Sequence, residues 1–475
     1  MSGPRIVSDG FLSREELRDR RVLVLGLGMS GLAVTRALAS AGAEVFASDS
    51  RSEVAGDPQV IALRESGIRV ETGTHRQAEK WLASADMIVP SPGISPRSRI
   101  LGKAISDGVP VLSEIELAYR FVSSPIVAVT GTNGKTTTSR LIGRMLADDG
   151  VEAVVCGNIG HPFITAAMDS PSAKVFVVEV SSFQLTFCYA FHPTVAVITN
   201  FAPDHIDWHG SIESYRSAKA RIASRQTRGD WYVYPAYQPE LSQLVPSPGP
   251  HLIPFSSEVI RTGDGVWVDH DEVAARVGSS LTRRLGRTDN LARFGKPFVE
   301  DGLAATAAAL AMSTSPEAIE RSLAQFEPDE HRIEPVAELE GVRFIDDSKA
   351  TNPHATVAAL RNFSSVVLIA GGRSKGLDLS EIGQESGRTK AVVAMGEAAA
   401  ELEKVFSAKG VPVSRAGTIS EAVEKAASLA QAGDVVLLSP GCSSHDQYAN
   451  YAERGEAFQE AAQALVDRRT QGASS

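Results

Sequence analysis

One stretch of the sequence constrains the fold more than any other: residues 125–140, reading PIVAVTGTNGKTTTSR. The β-branched run Ile126–Val129 follows a proline and predicts a buried strand, and Thr136–Leu146 has the pattern of a helix. Between them, Thr130–Lys135 contains two glycines and ends in a lysine. Glycines let backbone amides wrap a polyphosphate, and a helix N-terminus adds partial positive charge. The stretch therefore predicts a nucleotide-triphosphate site.

This 130–135 loop departs from the usual G-x-x-x-x-G-K-[ST] pattern, because Val129 stands where the first glycine belongs. In the nucleotide interpretation, Lys135 reaches the outer phosphates and the Thr136 hydroxyl faces a Mg²⁺ ion. An ordinary strand–turn–helix without a ligand is the alternative.

Length and composition narrow the class of protein. A chain of 475 residues is too long for one hydrophobic core, and length predicts about three domains. The net charge of −10 argues against general nucleic-acid binding. The three cysteines form no C-x-x-C pair, and the start, MSGPRIVSDG, contains no apolar signal core. Since the sequence also lacks a run of about 18 apolar residues, we expect a cytoplasmic protein without membrane insertion.

A second glycine-rich loop lies near the N-terminus. The predicted strand Arg21–Leu25 runs into GLGMSG at 26–31, a complete G-x-G-x-x-G, and a helix and a second strand, Ala43–Ala47, follow. This β-α-β unit ends close to Asp49. Two ligands fit it equally: a dinucleotide with Asp49 on a ribose hydroxyl, or the diphosphate of another nucleotide such as a UDP-sugar. A tight turn that only packs a helix on a strand is the third interpretation.

Polar side chains follow several predicted strands of the middle third. Glu179 comes directly after the apolar run Lys174–Val178. Parallel sheets bind ligands at such strand ends, so Glu179 is a candidate Mg²⁺ ligand, or otherwise a cap for the turn that follows. Asn158 lies in a glycine-flanked turn, GNIG. His205 follows the next strand among two aspartates and a second histidine, which suits a metal or phosphate role as well as a structural one.

Three further stretches predict structure rather than chemistry. The basic helical segment 215–221, which includes Lys219, has by its charge the character of a solvated face. The proline-rich stretch 235–254 predicts an irregular surface insertion. The alanine-rich run Leu303–Met312 predicts a closely packed helix.

The last third repeats the pattern of strands with polar ends. The apolar runs 342–345, 366–370 and 435–438 each precede hydroxyl and charged residues, among them Lys349 and Lys375. These ends suit a small anionic ligand such as a dicarboxylate.

Alternating strands and helices predict the α/β class. We predict three domains: an N-terminal Rossmann-like domain (1–113), a central P-loop-type ATP-binding domain with a parallel sheet (114–328), and a C-terminal α/β Rossmann-like domain (329–475).

Taken together, the motifs resemble the Mur ligase family, and within it the D-glutamate-adding ligases, over nearly the whole chain. The loop TGTNGKTT (130–137) is common to the family. More discriminating are GLGMSG (26–31), SPGI (91–94), GNIG (157–160), EVSSFQL (179–185), DDSKATNP (346–353) and SPGCSSHDQY (439–448).

The resemblance implies an ATP-dependent, ADP-forming ligase of peptidoglycan precursor synthesis. Such an enzyme joins D-glutamate to UDP-N-acetylmuramoyl-L-alanine (UDP-MurNAc-L-Ala) through an acyl phosphate, because a carboxylate is a poor electrophile until it is activated. The implied ligands are ATP, two Mg²⁺ ions and both substrates, on a cytoplasmic monomer that binds no nucleic acid.

The resemblance also implies roles for individual residues. The UDP-substrate is bound by Gly26, Gly28, Met29, Ser30, Gly31, Asp49, Ser50, Arg51, Gly93, Asn158 and His205. ATP is bound by Gly131, Thr132, Asn133, Gly134, Lys135, Thr136, Thr137, His331, Arg332, Asp347 and Lys349. The metal ligands are Thr136, Glu179, His205 and a carbamylated Lys219, a role that replaces the solvated-face interpretation of this lysine. D-Glutamate is bound by Thr351, Lys375, Ser444 and Tyr451, the last at a position where the family often has Phe. The catalytic residues are Lys135, His205 and Lys219.

One element of the family is missing. Residues 297–301, PFVED, replace a His-Asn-x-x-Asn pattern that precedes the alanine-rich helix. The adenine and ribose contacts therefore stay open, with Asp301 as the candidate for the second asparagine.

Three alternatives remain. A sister ligase that adds another amino acid is the nearest. A nicotinamide-dependent oxidoreductase would use the N-terminal loop and leaves Lys349 and Lys375 unexplained. A switch-type ATPase would hydrolyse ATP without regard to amino acids.

Overall fold

The computed structural model describes residues 14–473, and its three β-sheets are distributed over two compact units. The first unit contains the described residues up to Phe201, with Glu213–Arg287 and Asp301–Leu323. The second contains Ala202–Ile212, Thr288–Glu300 and the described residues from Ala324 onward. The α/β class is as predicted, and the domain boundaries at 113/114 and 328/329 stay predictions.

The first sheet is the predicted Rossmann-like one. Its region consists of β1 Arg21–Leu25, α1 Met29–Ser40, β2 Glu44–Asp49, α2 Pro58–Glu65, β3 Arg69–Thr72, α3 Arg76–Trp81, β4 Met87–Pro90, α4 Arg99–Ser106 and α5 Glu114–Tyr119, with 3₁₀ turns at Arg14–Leu17, Glu53–Gly56 and Leu82–Ser84. The four strands are parallel, in the order β3-β2-β1-β4. The 26–31 loop leaves the carboxyl end of β1, where parallel sheets bind ligands.

The second sheet contains nine strands, all in the first unit, whereas residues 202–212 and 288–300 of the same stretch of chain belong to the second unit. Its region consists of β5 Ile126–Thr130, α6 Lys135–Asp148, β6 Ala153–Gly157, α7 Phe163–Asp169, β7 Val175–Glu179, α8 Ser182–Leu185, β8 Val195–Ile198, α9 Ile206–His209, α10 Ile212–Ala220, β9 Trp231–Pro235, β10 His251–Ser256, β11 Gly265–Asp269, β12 Glu272–Arg276, β13 Arg283–Arg287, α11 Asp289–Ala292, α12 Lys296–Ala311 and α13 Pro316–Ala324. The order is β13-β12-β11-β10-β9-β8-β5-β7-β6. Neighbours from β6 to β11 are parallel, and β12 and β13 extend the sheet as antiparallel strands. β5, which precedes the 130–135 loop, lies buried between β7 and β8.

The third sheet lies in the second unit. Its region consists of β14 Glu334–Leu339, β15 Val342–Asp346, α14 Pro353–Leu360, β16 Val366–Gly371, α15 Ser380–Gly383, β17 Thr389–Met395, α16 Ala399–Ser407, β18 Val413–Ala416, α17 Ile419–Leu429, β19 Val435–Leu438 and α18 Tyr451–Ala473. The order is β14-β15-β19-β16-β17-β18, parallel except for β14 at the edge. No helix in the described part of the chain is long and apolar enough to cross a membrane.

The prediction of an irregular surface insertion at 235–254 holds for residues 236–250 and fails only at the two ends of the stretch. The stretch begins at the end of β9, continues through a 3₁₀ turn at Pro239–Leu244, and ends inside β10. Leu241 is fully buried, and the hydroxyl of buried Tyr232 donates a 3.0 Å hydrogen bond to its carbonyl. Pro235 and Pro254 lie in β9 and β10, because strand pairing at these two positions outweighs the local turn signal.

Two buried carboxylates on α5 tie this helix to the rest of the first unit. Glu116 pairs with Arg120 at 2.8 Å and accepts hydrogen bonds of 3.0–3.1 Å from the backbone amides of residues 189–191. Glu114 accepts a 2.6 Å hydrogen bond from the amide of Ile164, at the start of α7. Sequence reasoning missed both, because glutamates in a helical pattern are mostly exposed.

Glu114 makes stability depend on pH. Burial raises the pKa of its carboxyl from 4.5 to about 7. Between these values the folded chain holds a proton that the unfolded chain has released, so stability present below pH 4.5 is lost as the pH rises to about 7. Glu114→Gln keeps an acceptor for the Ile164 amide, and we expect it to raise the free energy of unfolding at about pH 8 by roughly 3 kcal/mol. Urea unfolding of the wild type and of Glu114→Gln between about pH 4.5 and 8 measures the difference. The same dependence of unfolding free energy on pH in both proteins would contradict the prediction.

Candidate active site

The 130–135 loop has a shape that only its glycines permit. Gly134 adopts φ +81°, the left-handed region, and a Cβ there would overlap Oδ1 of Asp301. A Cβ on Gly131 would overlap the hydroxyl of Thr199. The loop leads directly into α6, whose N-terminal amides and dipole favour an anion. The predicted strand–loop–helix is therefore present, and the side chains of Asp301 and Thr199 pack against its two glycines.

Two lysines converge on the carbonyl oxygen of Gly131. Lys135 Nζ lies 3.0 Å from it, and Lys219 Nζ lies 2.7 Å from it. Lys219 is only 2% exposed, and its Nζ lies 4.7 Å from the centre of the Tyr215 ring. The solvated-face interpretation is therefore wrong at Lys219, because α10 turns this side chain toward the loop. A hydrogen bond of 3.0 Å between the hydroxyls of Tyr215 and Thr132 holds the same two elements together.

The residues after β8 hold the loop in place. The Thr199 hydroxyl donates to the carbonyl of Asn133 at 2.5 Å, and Asn200 Nδ2 donates to the same oxygen at 3.1 Å. Asn200 Oδ1 accepts from the Asn133 amide at 3.0 Å, and the Asn200 carbonyl accepts from the Thr132 amide at 3.1 Å. Thr199 and Asn200 follow β8 directly, and their hydrogen bonds to the loop depend on the pairing of β5 with β8.

Glu179, the last residue of β7, connects two predicted ligand-binding residues. Its Oε2 accepts from the Thr136 hydroxyl at 2.8 Å, and its Oε1 accepts from Asn158 Nδ2 at 2.8 Å. The helix-cap alternative for Glu179 is wrong, because Ser181 and Gln184 form the capping box of α8. A hydroxyl and a buried carboxylate are oxygen donors of the kind Mg²⁺ prefers, so Thr136 and Glu179 fit such an ion.

Asp301 lies beside the 130–135 loop. The missing His-Asn-x-x-Asn element falls inside α12, which begins at Lys296. Asp301 is 4% exposed and packs against Gly134. This position is consistent with the proposed substitution for the second asparagine, and the nucleotide contact itself stays a prediction.

The 26–31 loop packs tightly at its ends and is open in the middle. Gly26 has φ +85°, and a Cβ there would lie 2.6 Å from the Ser91 hydroxyl. A Cβ on Gly31 would overlap the carbonyl oxygen of Gly26. Nothing lies within 4 Å of a Cβ on Gly28. The tight-turn interpretation accounts for the outer two glycines, whereas Gly28 leaves the backbone accessible to a ligand.

Asp49 connects this loop to Arg51. Its Oδ2 accepts from the Leu27 amide at 2.7 Å and from the Arg51 guanidinium at 2.8 Å. Burial acts to raise the pKa of Asp49, but the hydrogen bonds from Arg51 and Leu27 outweigh it and lower the pKa. Asp49 therefore stays ionised and positions both the loop and the arginine.

Two cavities adjoin the 26–31 loop, and both have the size of ordinary ligand sites. The first, of about 620 Å³, is lined by five residues predicted to bind the UDP-substrate: Gly26, Gly28, Asp49, Ser50 and Arg51. The second, of about 710 Å³, lies between α1 and α7 and includes Met29, which is 67% exposed.

His205 belongs to the second unit, together with residues predicted to bind D-glutamate. Its amide donates to Oδ1 of buried Asp204 at 2.8 Å. Asp204 Oδ1 lies 3.7 Å from Lys375 Nζ, and its Oδ2 accepts from Asn352 Nδ2 at 3.2 Å. Lys375 also donates to the Thr351 carbonyl at 3.5 Å. Sequence reasoning missed the central place of Asp204 in this cluster.

The loop after β15 contains two of the predicted ATP contacts of the second unit, Asp347 and Lys349. Asp347 accepts from the Ser439 hydroxyl at 2.8 Å, and burial raises its pKa to about 7, with nearby Arg332 acting in the opposite direction. Lys349 Nζ pairs with Asp329 at 3.0 Å and lies 5.9 Å from the centre of the Tyr451 ring. Asp347 and Ser444 are buried, whereas Tyr451 is exposed at the start of α18.

Arg454, which sequence reasoning missed, joins two loops of the second unit. Its guanidinium donates to the hydroxyl and carbonyl of Ser348 at 3.0 and 2.8 Å and to the Cys442 carbonyl at 3.2 Å. The side chain is buried, which lowers its pKa to about 10. It thereby holds the loop after β15 beside the loop after β19, and a lone arginine in a helical pattern carries no signal of this role.

Three family models match the chain in order. They are the N-terminal domain of MurD-like Mur ligases at 20–113, the Mur ligase middle domain at 129–308, and the glutamate ligase domain of Mur ligases at 331–442. Relatives from Pelotomaculum thermopropionicum and Thermobifida fusca are 39% and 40% identical over 93% and 95% of this chain, and over 97% and 100% of their own lengths. Both carry the name UDP-N-acetylmuramoylalanine–D-glutamate ligase.

The chain belongs to the Mur ligase family.

Solved structures agree with a Mur ligase fold. A MurF ligase from Thermotoga maritima in complex with ADP is 17% identical, covers 96% of this chain and 97% of its own, and has a TM-score of 0.57. A MurC ligase from the same organism is 18% identical, covers 94% and 99%, and has a TM-score of 0.55. At this identity the likeness concerns the fold alone.

Membership of the Mur ligase family confirms the predicted resemblance, fold class and ATP-dependent ligase chemistry. It overturns the oxidoreductase and switch-type ATPase alternatives. The roles of individual site residues stay predictions.

Proposed function

We propose that this Mur ligase joins D-glutamate to UDP-MurNAc-L-Ala and converts ATP to ADP and phosphate. The observation that carries the proposal is similarity over nearly the whole chain to ligases of that name. The two glycine loops, one on each sheet of the first unit, suit the two nucleotides that this reaction requires.

The reaction proceeds in two steps. An oxygen of the alanyl carboxylate attacks the γ-phosphorus of ATP, so that ADP leaves and an acyl phosphate forms. The uncharged amine of D-glutamate then attacks the acyl carbon, the C–O bond to phosphate breaks, and phosphate leaves as HPO₄²⁻ with the proton that the nitrogen gives up. Lys135 and the amides of the 130–135 loop stabilise the negative charge on the transferring phosphoryl group.

The oxygen donors beside the 130–135 loop support a requirement for Mg²⁺. Thr136 and Glu179 would hold one Mg²⁺ ion, which supplies charge neutralisation at the phosphates. A carbamate on Lys219 would contribute to a second ion, since this amine lies buried beside the carbonyl of Gly131 in the 130–135 loop. The predicted role of His205 at the metal or the substrate is part of this proposal.

The dicarboxylate substrate suits the second unit. Lys375 and the Thr351 and Ser444 hydroxyls offer a cation and donors to its carboxylates. Asp204 balances the charge of Lys375 at 3.7 Å. Tyr451 is the fourth residue predicted to bind D-glutamate. We further propose that the enzyme acts in the cytoplasm as a monomer, because the nucleotide substrates are cytoplasmic and one chain supplies every predicted site residue.

Phosphate release tests the proposed function. The assay contains ATP, Mg²⁺ and UDP-MurNAc-L-Ala, and the amino acid is varied. D-Glutamate should stimulate release, whereas L-alanine, L-lysine and meso-diaminopimelate should not. Stimulation by one of these instead would identify a sister ligase.

The carbamate on Lys219 yields a separate prediction. Lys219→Ala should lower kcat by about 10²–10³-fold, the range for loss of one charge-stabilising group, and added formate or acetate should restore part of it. Lys174→Ala changes an exposed lysine of the same unit and should leave kcat unchanged. Mass spectrometry of the intact protein in bicarbonate adds a readout that needs no turnover. Full activity of Lys219→Ala would contradict the role.

A further inference from the structure

Arg332, a predicted ATP contact, lies in an unusual stretch of backbone in the second unit. Both of its neighbours have positive φ angles: +60° at His331 and +51° at Ile333. Positive φ is uncommon outside glycine, and for a β-branched residue such as Ile333 it is an outlier. Such backbone persists only where the surroundings over-determine it.

The surroundings of His331 do so. Its Nδ1 lies 2.7 Å from Oδ2 of fully buried Asp346, and its amide donates to Glu334 Oε2 at 2.7 Å. Its carbonyl accepts from the Lys349 amide at 3.1 Å. The 2.7 Å contact with a carboxylate places the proton on Nδ1.

Gln459 of α18 completes the network around the imidazole. Its Nε2 donates to Asp346 Oδ2 at 3.0 Å and to Glu334 Oε2 at 3.2 Å. Asp346 Oδ1 accepts from the Ser348 amide at 2.9 Å. Asp346 therefore connects the imidazole, α18 and the loop after β15.

Gly455 explains how the imidazole fits against α18. Glycine weakens a helix interior relative to alanine, yet Gly455 lies within this long helix. A Cβ there would overlap His331 Nδ1 and lie 2.8 Å from Asp346 Oδ2. The helix thus contains a glycine where a side chain would displace the histidine.

We propose that Asp346, Gln459 and Gly455 are positioning residues for ATP binding. They hold His331 in place and thereby orient the neighbouring Arg332 toward the nucleotide. Asp346 and Gln459 act through hydrogen bonds, and Gly455 acts by leaving space. The inference rests on the proposed function in that Arg332 is taken to contact the nucleotide. His331, Glu334 and Asp346 could also be considered as metal ligands, but the Gln459 amide group already donates into this cluster.

Calorimetric titration with ADP tests the proposal without turnover. Gly455→Ala should weaken ADP binding by about 10-fold or more, the loss of one charged hydrogen bond, although alanine favours the helix. Gly387→Ala makes the same change in the same unit where nothing lies within 4 Å, and it should bind ADP normally. Asp346→Ala should resemble Gly455→Ala. Asp346→Asn should recover most of the ADP affinity that Asp346→Ala loses. The NH₂ group of the asparagine can donate to Nδ1 of the other imidazole tautomer, and its oxygen can still accept from the backbone amide of Ser348.

A double-mutant cycle separates positioning from general damage. In an Arg332→Ala background, Gly455→Ala should cause no further loss of ADP affinity, since both changes remove the same contact. The KM for D-glutamate should stay unchanged in Gly455→Ala. Three results would each overturn the proposal. They are additive losses of ADP affinity in the double variant, normal ADP binding by Gly455→Ala, and equal increases in its KM values for ATP and D-glutamate. Failure of the proposed function would instead be seen in wild-type protein, as phosphate release that ignores D-glutamate.

Discussion

Glu179→Gln should reduce kcat by about 10³-fold, since it removes the one negative charge that joins Thr136 to Asn158. Glutamine has the same shape, and its amide can accept from Asn158 and donate to the Thr136 hydroxyl. The fold should therefore survive, and the loss should be that of a metal ligand. Phosphate release as a function of Mg²⁺ concentration measures the effect.

A matched variant controls for the amide substitution. Glu213→Gln lies on α10 of the same unit, where the glutamate is exposed, and it should have normal kcat and Mg²⁺ dependence. For Glu179→Gln the half-saturating Mg²⁺ concentration should rise as kcat falls. A variant with near-normal kcat and an unchanged Mg²⁺ requirement would remove Glu179 from the metal site.

Glu116→Ala should lower the free energy of unfolding by about 3–5 kcal/mol, because it leaves Arg120 as a buried charge without its carboxylate. The same substitution deprives the amides of Tyr189, Ala190 and Phe191 of their acceptor. Each buried donor without a partner adds to the loss. Urea unfolding, followed by a probe in the first unit, measures the change.

A surface ion pair provides the comparison. Asp107 pairs with Lys103 at 2.8 Å, and both side chains are about half exposed. Asp107→Ala should change stability by less than about 1 kcal/mol, because solvent screens exposed pairs. Similar losses for Glu116→Ala and Asp107→Ala would show that burial does not control the strength of the α5 contact.

The main elements could be predicted from sequence because their signals are local. The strands Arg21–Leu25 and Val435–Leu438 have the predicted bounds, and α6 begins one residue before its predicted start. Apolar runs, glycines and prolines act on neighbouring dihedral angles, so a short window contains the information. The same reasoning failed only at the ends of 235–254, where Pro235 and Pro254 lie in paired strands.

The candidate site was predicted less completely than the fold. Charge alone suggested that Lys219 faces water, and only family resemblance assigned it a role. Asp204, Asp346 and Arg454 were not assigned roles, although Asp204 contacts Lys375, Asp346 contacts His331, and Arg454 joins the loops after β15 and β19. Their partners are distant in the chain: Lys219 and Gly131 are 88 positions apart, and Arg454 and Ser348 are 106 apart.

The sequence by itself determined the α/β class, the two glycine loops and the chemical groups at the strand ends, because each is a property of a few consecutive residues. Only the tertiary structure decided which of those groups meet. The order of strands in a parallel sheet brings together loops that the sequence keeps apart, and burial then determines whether a lysine or carboxylate faces water or a single buried partner.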